Sequence, residues 1–560
     1  MLLVPRTRRL RSDFNLGAGQ AEADPLLSEA FYESGDYCAI RSRRDPRCFV
    51  VARTGAGKSA ALTRLEEEFP GKVIRIAPQD LSLPYITDMQ AVKYLDQLDV
   101  RLDLFFEALW KHVLLVEIIR HRYNVDSPVA KQNFLRSLME KISRDPGKRE
   151  ALKYLEEFEG KFWCETDQRV REIVEKFERS VERDAGAKLA IAGQGGNVSG
   201  KGRVGTSSES RTEEAERYQR IVNETQLARL NKMISVLNED IIDSPQNAVY
   251  VIIDDLDTQW VDERLSNDLV RCLFSAVLSL KRVQNLKVLV ALRTNIFETI
   301  DFGQRGAQGE KFRSLVLNMK WTRADLRELL DERARAAGRE AGLEIDSMAD
   351  VIPHGNSRRG DPMDHILDRT LLRPRDAISY LNECFSSAIG GGNRLTWEDI
   401  SGSERAYSTD RLLALRDEWG PSYPGVIDAF EVFRGCSYPM TRTDFQSRLD
   451  EVMLLPAKRN FAGVEWVESL SRNMWNSGDG KLDWMKVYKP LTALFFKFGF
   501  MGCREGRSPE VVYSHDDPDH VDHHVRLGPD CEFFIHPAFH CALDVQLAES
   551  EWRRLSSHRH

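Results

Sequence analysis

Short apolar runs punctuate the first half of the chain, and each stops at a turn signal or a charge. Residues 48–52 end at a glycine-rich turn, 72–76 are β-branched, 249–253 end in two carboxylates, and 286–292 end in Arg293, Thr294 and Asn295. Runs of this length without polar alternation predict strands covered on both faces, as in a parallel sheet. Between them the period changes. Leu102, Phe105, Phe106, Leu109, Trp110, Val113 and Leu114 recur at helical spacing, which predicts a helix buried on one broad face. Residues 131–185 are charged and helical in pattern. Residues 184–210 are rich in Gly and Ser and read as a flexible loop or a small hairpin, and Ile221, Leu227, Leu230, Ile234 and Leu237 mark a further helix. The stretch from about 125 to 238 therefore reads as a helical insertion in an α/β core.

From about 401 the pattern is mainly helical, over 411–419, 426–433, 443–455 and 464–475, and then strongly apolar and aromatic from 484 to 500. Two strand-like runs follow at 510–513 and 531–535. Helices followed by a hairpin predict a winged-helix-like module, which can bind DNA or dock protein. The region that would read DNA has no cluster of Lys and Arg, so docking is the stronger reading. Residues 1–25 are rich in Arg, Gly and Ala and read as a mobile arm.

The turn after the first apolar run carries chemistry. It reads Ala52-Arg53-Thr54-Gly55-Ala56-Gly57-Lys58-Ser59, with helix formers from Ala60 onward. This is a phosphate-binding loop of the G-x-x-x-x-G-K-[ST] type, with Ala52 where the first Gly usually stands. Gly55 and Gly57 let the backbone curl so that its N–H groups, from Thr54 to Ala60, face phosphate oxygens. Lys58 is predicted to reach the β- and γ-phosphates, and the Ser59 hydroxyl to ligate Mg²⁺. The twin carboxylates are the expected partner: Asp254 to hold Mg²⁺ through water, and Asp255 to orient and polarise the attacking water. Asp257 adds a third carboxylate nearby. Pro374 fits the first turn of a helix, which places Arg375 to reach the nucleotide from a helical lid. Arg305 and Arg313 are candidates for an arginine finger, although a solvated charge is the simpler reading of each. Tyr37 reads as a packing tyrosine before it reads as an adenine neighbour. His515, His520, His523 and His524 sit among aspartates in a predicted wing loop with no metal-ligand spacing, and His536 and His540 read as packing histidines.

Length and charge narrow the class. A chain of 560 residues with 42% apolar residues can hold two to four domains. Its net charge of −8 argues against a protein that coats nucleic acid. The nine cysteines form no C-x-x-C pair, which fits a reducing, cytoplasmic compartment. The first residues lack the apolar centre of a signal peptide. No uninterrupted apolar run reaches the length of about 18 that a membrane span needs.

In order, Gly55-Ala56-Gly57-Lys58-Ser59, Ile252-Ile253-Asp254-Asp255-Leu256-Asp257, Leu292-Arg293-Thr294-Asn295 and Arg373-Pro374-Arg375-Asp376 resemble the prokaryotic P-loop ATPases related to the STAND, KAP and AAA+ groups. The Asp-Asp pair is closer to the STAND and KAP pattern. The resemblance covers about residues 26–390, the insertion excepted. It implies an additional-strand P-loop NTPase core at 26–345, a helical lid at 346–400 and a separate C-terminal domain at 401–560. It implies ATP and Mg²⁺ as ligands, with Arg293 or Asn295 touching the γ-phosphate or the water. It also implies ATP-driven switching or homo-oligomerisation, often within bacterial anti-phage defence; the sequence shows no nuclease, Ser-His-Asp or deaminase constellation, so a separately encoded protein effector is expected. The expectation is thus an ATP-hydrolysing switch. The alternatives are an ATP-dependent scaffold with little turnover, or a DNA-associated ATPase that uses the C-terminal module.

Overall fold

The computed structural model describes residues 14–76, 100–124, 128–142, 227–254, 263–300, 312–388, 392–475, 483–524 and 527–547, without 358, 507 and 509 and with 149 and 256 in addition. Chain contacts divide the protein into two units. An α/β unit comprises Gly35–Arg53 and Ala61–Met319, and a helical unit comprises Met1–Ser34, Thr54–Ala60 and Lys320–His560.

In the α/β unit the elements run α1 (Gly35–Arg41), β1 (Phe49–Ala52), α2 (Lys58–Glu68), β2 (Val73–Ile76), α3 (Asp103–Tyr123), α4 (Pro128–Ile142), α5 (Leu227–Val236), β3 (Val249–Ile253), α6 (Glu263–Leu280), β4 (Leu286–Arg293), α7 (Thr294–Thr299) and β5 (Val316–Asn318). The apolar runs became strands, and they pair in the order β2-β3-β4-β1-β5, all parallel. β4 is interposed between β1 and β3. The pairs Ala52↔Arg293, Ile253↔Val290 and Ile76↔Ile253 fix the register. β1 and β3 are buried along their whole length, the pattern of strands covered on both faces. β5, missed in the sequence, is only three residues long.

α3 departs from expectation. From Phe105 to Ile119 every residue except Glu107 is buried, Lys111, His112 and Glu117 included. The helix is enclosed because α5 and α6 both pack on it. The Trp110 indole donates to the Leu269 carbonyl at 2.8 Å, and Lys111 Nζ lies 2.7 Å from Asn231 Oδ1 and 2.6 Å from Glu107. Buried polar groups persist when they are partnered in this way. Of the predicted insertion, α4 and α5 are described; 151–226, with the Gly- and Ser-rich stretch, lie outside the described residues.

The helical unit continues with α8 (Arg323–Ala341), α9 (Pro362–Asp368), α10 (Pro374–Ser387), α11 (Trp397–Trp419), α12 (Val426–Glu431), β6 (Ser437–Tyr438), β7 (Met440–Thr441), α13 (Arg442–Met453), α14 (Val464–Trp475), α15 (Trp484–Val487), α16 (Lys489–Lys497), β8 (Met501–Arg504), β9 (Glu532–Ile535) and β10 (Gln546–Leu547). Thr322 and Thr396 open α8 and α11 with capping boxes to Asp325 and Asp399, each satisfying backbone donors that a helix start leaves free.

The expected boundaries shift. α8 packs with α9, α10 and α11 in one core, so the α/β unit ends at Met319 rather than near 345. α11 runs unbroken through the expected boundary at 400/401. The supposed arm is also corrected from Phe14 onward. Phe14, Leu16, Leu26 and Ala30 are buried in the same core. Leu16 N–H donates to Asn382 Oδ1 at 2.8 Å, and Arg333 pairs with Asp24. The few apolar residues of this strap were enough to seat it.

The last part of the chain has its own core, dense in phenylalanine. Its three-stranded sheet has the order β7-β9-β8. The expected strand at 510–513 is replaced by β8, and from it only Val512 bridges, to Cys503. α16 precedes the β8–β9 pair, yet Leu491, Thr492, Leu494, Phe495 and Phe496 are buried. His536 Nδ1 accepts from Ala538 N–H and His540 Nε2 lies 2.9 Å from the Ile535 carbonyl, so both are packing histidines. Among the described residues no group of His, Cys, Asp and Glu is arranged to hold a metal ion.

Candidate phosphate-binding turn

β1 ends at Ala52 and α2 begins at Lys58. The turn between them takes backbone angles that side chains resist: φ is +81° at Gly55 and +91° at Gly57. Glycine adopts these at no steric cost, which is why the sequence places glycines there.

The turn belongs to the helical unit, and three donors of that unit hold it. Arg373 Nη1 donates to the Thr54 carbonyl at 2.9 Å, the Arg375 backbone N–H to the Gly55 carbonyl at 3.4 Å, and the Trp321 indole to the Ala56 carbonyl at 2.8 Å. A trans peptide points its N–H opposite to its C=O. The N–H groups of Gly55, Ala56 and Gly57 therefore face away from Arg373, Arg375 and Trp321, and none has a backbone partner among the described residues. Successive N–H groups turned to one side form an anion-binding concavity. Lys58 and Ser59 follow in the first turn of α2, both half-buried, with Ala60 next.

Arg373 is the residue that the sequence motif contained but did not single out. It stands at the N-cap of α10 in an extended conformation and is 7% exposed. Besides Thr54, its Nη1 reaches Glu418 at 3.0 Å, while among the described residues its buried Nε and Nη2 have no hydrogen-bond partner. The buried Thr54 hydroxyl has none either. Arg375, the predicted lid arginine, is used differently. Its Nε donates to the Gly19 carbonyl at 2.8 Å, and burial lowers its pKa. Its stem covers the turn so closely that a Cβ on Gly55 would lie 3.0 Å from Arg375 Cβ. Asp376 binds Arg411 at 2.7 Å and the Leu371 N–H rather than Arg375. Nothing in the pattern Arg-Pro-Arg tells which arginine meets the turn, and Trp321 carried no motif at all.

In the α/β unit, Asp254 follows β3 and is buried, with Arg75 Nη1 3.4 Å from its carboxylate. A cation does accompany this carboxylate, and it is a guanidinium that also pairs with Glu66 at 2.6 Å. Asp255, Asp257 and Arg305 lie outside the described residues. Arg293 ends β4 with its side chain exposed, in register with Ala52, and Asn295 lies in the first turn of α7. Arg313 is exposed. Tyr37 is buried with its hydroxyl on Glu68 at 2.6 Å, a packing role. The Ser59 hydroxyl and the Asp254 carboxylate are hard oxygen donors, the chemistry that Mg²⁺ takes.

The chain matches a family described as the FunZ-associated C-terminal helical domain over residues 324–416. That span begins in α8 and ends in α11, so it contains Arg373 and Arg375. The chain is also similar to the putative transposon gamma-delta 80.3 kDa protein of Escherichia coli strain K12. The two are 21% identical over 562 residues, 94% of this chain and 67% of the relative. No helix among the described residues is long and apolar enough to cross a membrane.

Proposed function

We propose that the protein is an ATP-binding and ATP-hydrolysing switch whose helical lid senses the occupancy of the Thr54–Ala60 turn. One observation carries the reading: the N–H groups of Gly55, Ala56 and Gly57 turn away from carbonyls already taken by Arg373, Arg375 and Trp321. Such a nest at the start of a helix favours a phosphate. The strand interposed between β1 and β3 is in keeping with the additional-strand resemblance.

Each residue then has a task. The turn's N–H groups and Lys58 hold the triphosphate, and the Ser59 hydroxyl and Asp254 offer oxygen ligands. Magnesium, when bound, neutralises phosphate charge. Asp255 orients the attacking water, and Arg293 or Asn295 reads the γ-phosphate from the end of β4. Arg373 grips the Thr54 carbonyl from the side opposite the nest, so it takes the sensing role expected of Arg375 through the backbone of the turn. Arg373 also binds Glu418 on α11, so a change at the turn is felt along the lid.

The test is steady-state ATP hydrolysis by the parent and by Lys58→Ala and Asp255→Ala. Turnover is expected in the parent and lost in both variants; unchanged turnover in both refutes the mechanism. Sizing with a non-hydrolysable ATP analogue separates switch from scaffold, since a scaffold assembles with the analogue while turning over negligibly.

A further inference from the structure

The α/β unit has a second candidate site at the edge where its strands begin. A cleft of about 710 Å³ is lined by the end of α1, the end of α2 and the residues that lead into β2, β3 and β4. Arg43, Arg44 and Lys72 line it, and among the described residues none of the three forms an ion pair. Arg41 is the exception, held by Glu68 at 3.3 Å. Arg43 Nη1 donates to Asn285 Oδ1 at 3.4 Å, a neutral partner that leaves its charge unmatched, and in a chain of net charge −8 cations without an ion pair on one cleft need a reason.

The ordinary reason would be to cap the C-terminal end of α1. That task is already done. Buried Lys287 donates to the carbonyls of Ala39, Ser42 and Asp45 at 3.4, 3.1 and 2.8 Å. The basic rim also extends beyond the cleft. Arg122 Nη2 lies 2.8 Å from Asn247 Oδ1, and His121 Nε2 lies 3.0 Å from the Gly71 carbonyl, next to Ala248 and Lys72. Inside the cleft stands Phe69, half-buried and stacked on Tyr250 at 5.0 Å.

Cations that track a backbone and an aromatic ring that accepts a base are the two components of a single-strand binding groove. We propose that this cleft binds single-stranded nucleic acid, with phosphates on Arg43, Arg44 and Lys72 and a base against Phe69. A duplex keeps its bases stacked inside a broad cylinder and cannot bring one to a ring within a cleft, so single strands are selected.

The experiment is fluorescence anisotropy of a short labelled oligothymidine with the full chain at about 50 and 200 mM salt. The parent is expected to bind with a marked salt dependence. Arg43→Gln/Arg44→Gln/Lys72→Gln is expected to bind at least tenfold more weakly, and its salt slope to fall by about 2, near 0.7 per lost contact. Phe69→Leu keeps an apolar side chain and is expected to lose about fivefold with the slope unchanged. Lys58→Ala is expected to bind the strand like the parent, which keeps this test separate from the ATPase reading. The proposal is overturned if the parent does not bind at the lower salt. It is also overturned if the triple variant, melting like the parent, binds equally well, or if duplex DNA or polyaspartate competes as well as the strand.

Discussion

Arg373→Met removes one guanidinium and keeps the length of the side chain. In the parent that guanidinium joins the Thr54 carbonyl to Glu418, and both charged partners are more than nine-tenths buried. Removing one member of a buried ion pair costs about 3–5 kcal/mol, which is a large part of the roughly 5–15 kcal/mol that keeps a domain folded. Chemical denaturation of Arg373→Met should show a loss in that range. Arg373→Met/Glu418→Leu should recover most of it, because an apolar replacement of the whole pair is close to neutral. Nucleotide affinity should behave differently. The bond from Arg373 Nη1 to the Thr54 carbonyl orients the peptide whose N–H, on Gly55, lines the nest, and a hydrogen bond from a charged donor is worth about 1.5–3 kcal/mol. Both variants should therefore bind a fluorescent ATP analogue about tenfold to a hundredfold more weakly, with no recovery in the double variant. If the double variant regains affinity along with stability, Arg373 serves packing alone and the sensing role is wrong. If the single variant stays within about 0.5 kcal/mol of the parent, the range of an ordinary surface change, the burial argument itself fails.

Gly55→Ala forces a side chain into φ +81° and against Arg375; it should cost about 1 kcal/mol in strain and abolish the thermal stabilisation that ATP gives the parent, as read by melting with and without nucleotide. Arg333→Met breaks the buried pair with Asp24 and the bond to the Leu16 carbonyl, so brief proteolysis should cut first within residues 14–30; an unchanged cleavage pattern would count against this anchoring. Burial raises the Glu404 carboxyl, but the charge of Arg369, whose Nε donates to it at 2.7 Å, and the nearby His365 at 3.5 Å outweigh that and hold it at about 2, against 4.5 when free. Being depressed in the folded state, this group contributes stability above about pH 4.5 and loses it as pH falls toward 2, about 3 kcal/mol in all. Acid titration of Glu404→Gln should show a flatter slope in that window.

The strands were legible because burial on both faces leaves an apolar run, uninterrupted in β1 and β3 and broken in β4 only by Lys287 before Val288–Leu292. Their order was not, since parallel strands pair across long crossovers and no local pattern records which neighbour is chosen. β5 offered three residues, too few for a period. The turn could be read because its backbone angles demand Gly55 and Gly57. The residues that grip it could not: Trp321 and Arg373 act through carbonyls, and any residue presents a carbonyl. The strap at 14–30 was hidden because small and polar residues dominate it, since a few large apolar anchors such as Phe14 and Leu16 suffice when long-range hydrogen bonds complete the seat. α3 reads as one-sided from spacing, and Lys111 and Glu117 conceal that it is enclosed.

The bond from Leu16 to Asn382 spans 366 positions. At ribosomal speeds of about 5–20 residues per second, roughly 20 to 70 seconds separate the emergence of its two ends. Over that interval Phe14, Leu16 and Leu26 are outside the ribosome with no groove to occupy, because α10 has not been made. The α/β unit, complete at Met319, has everything it needs to close before then, so the earliest part of the chain is among the last to find its place.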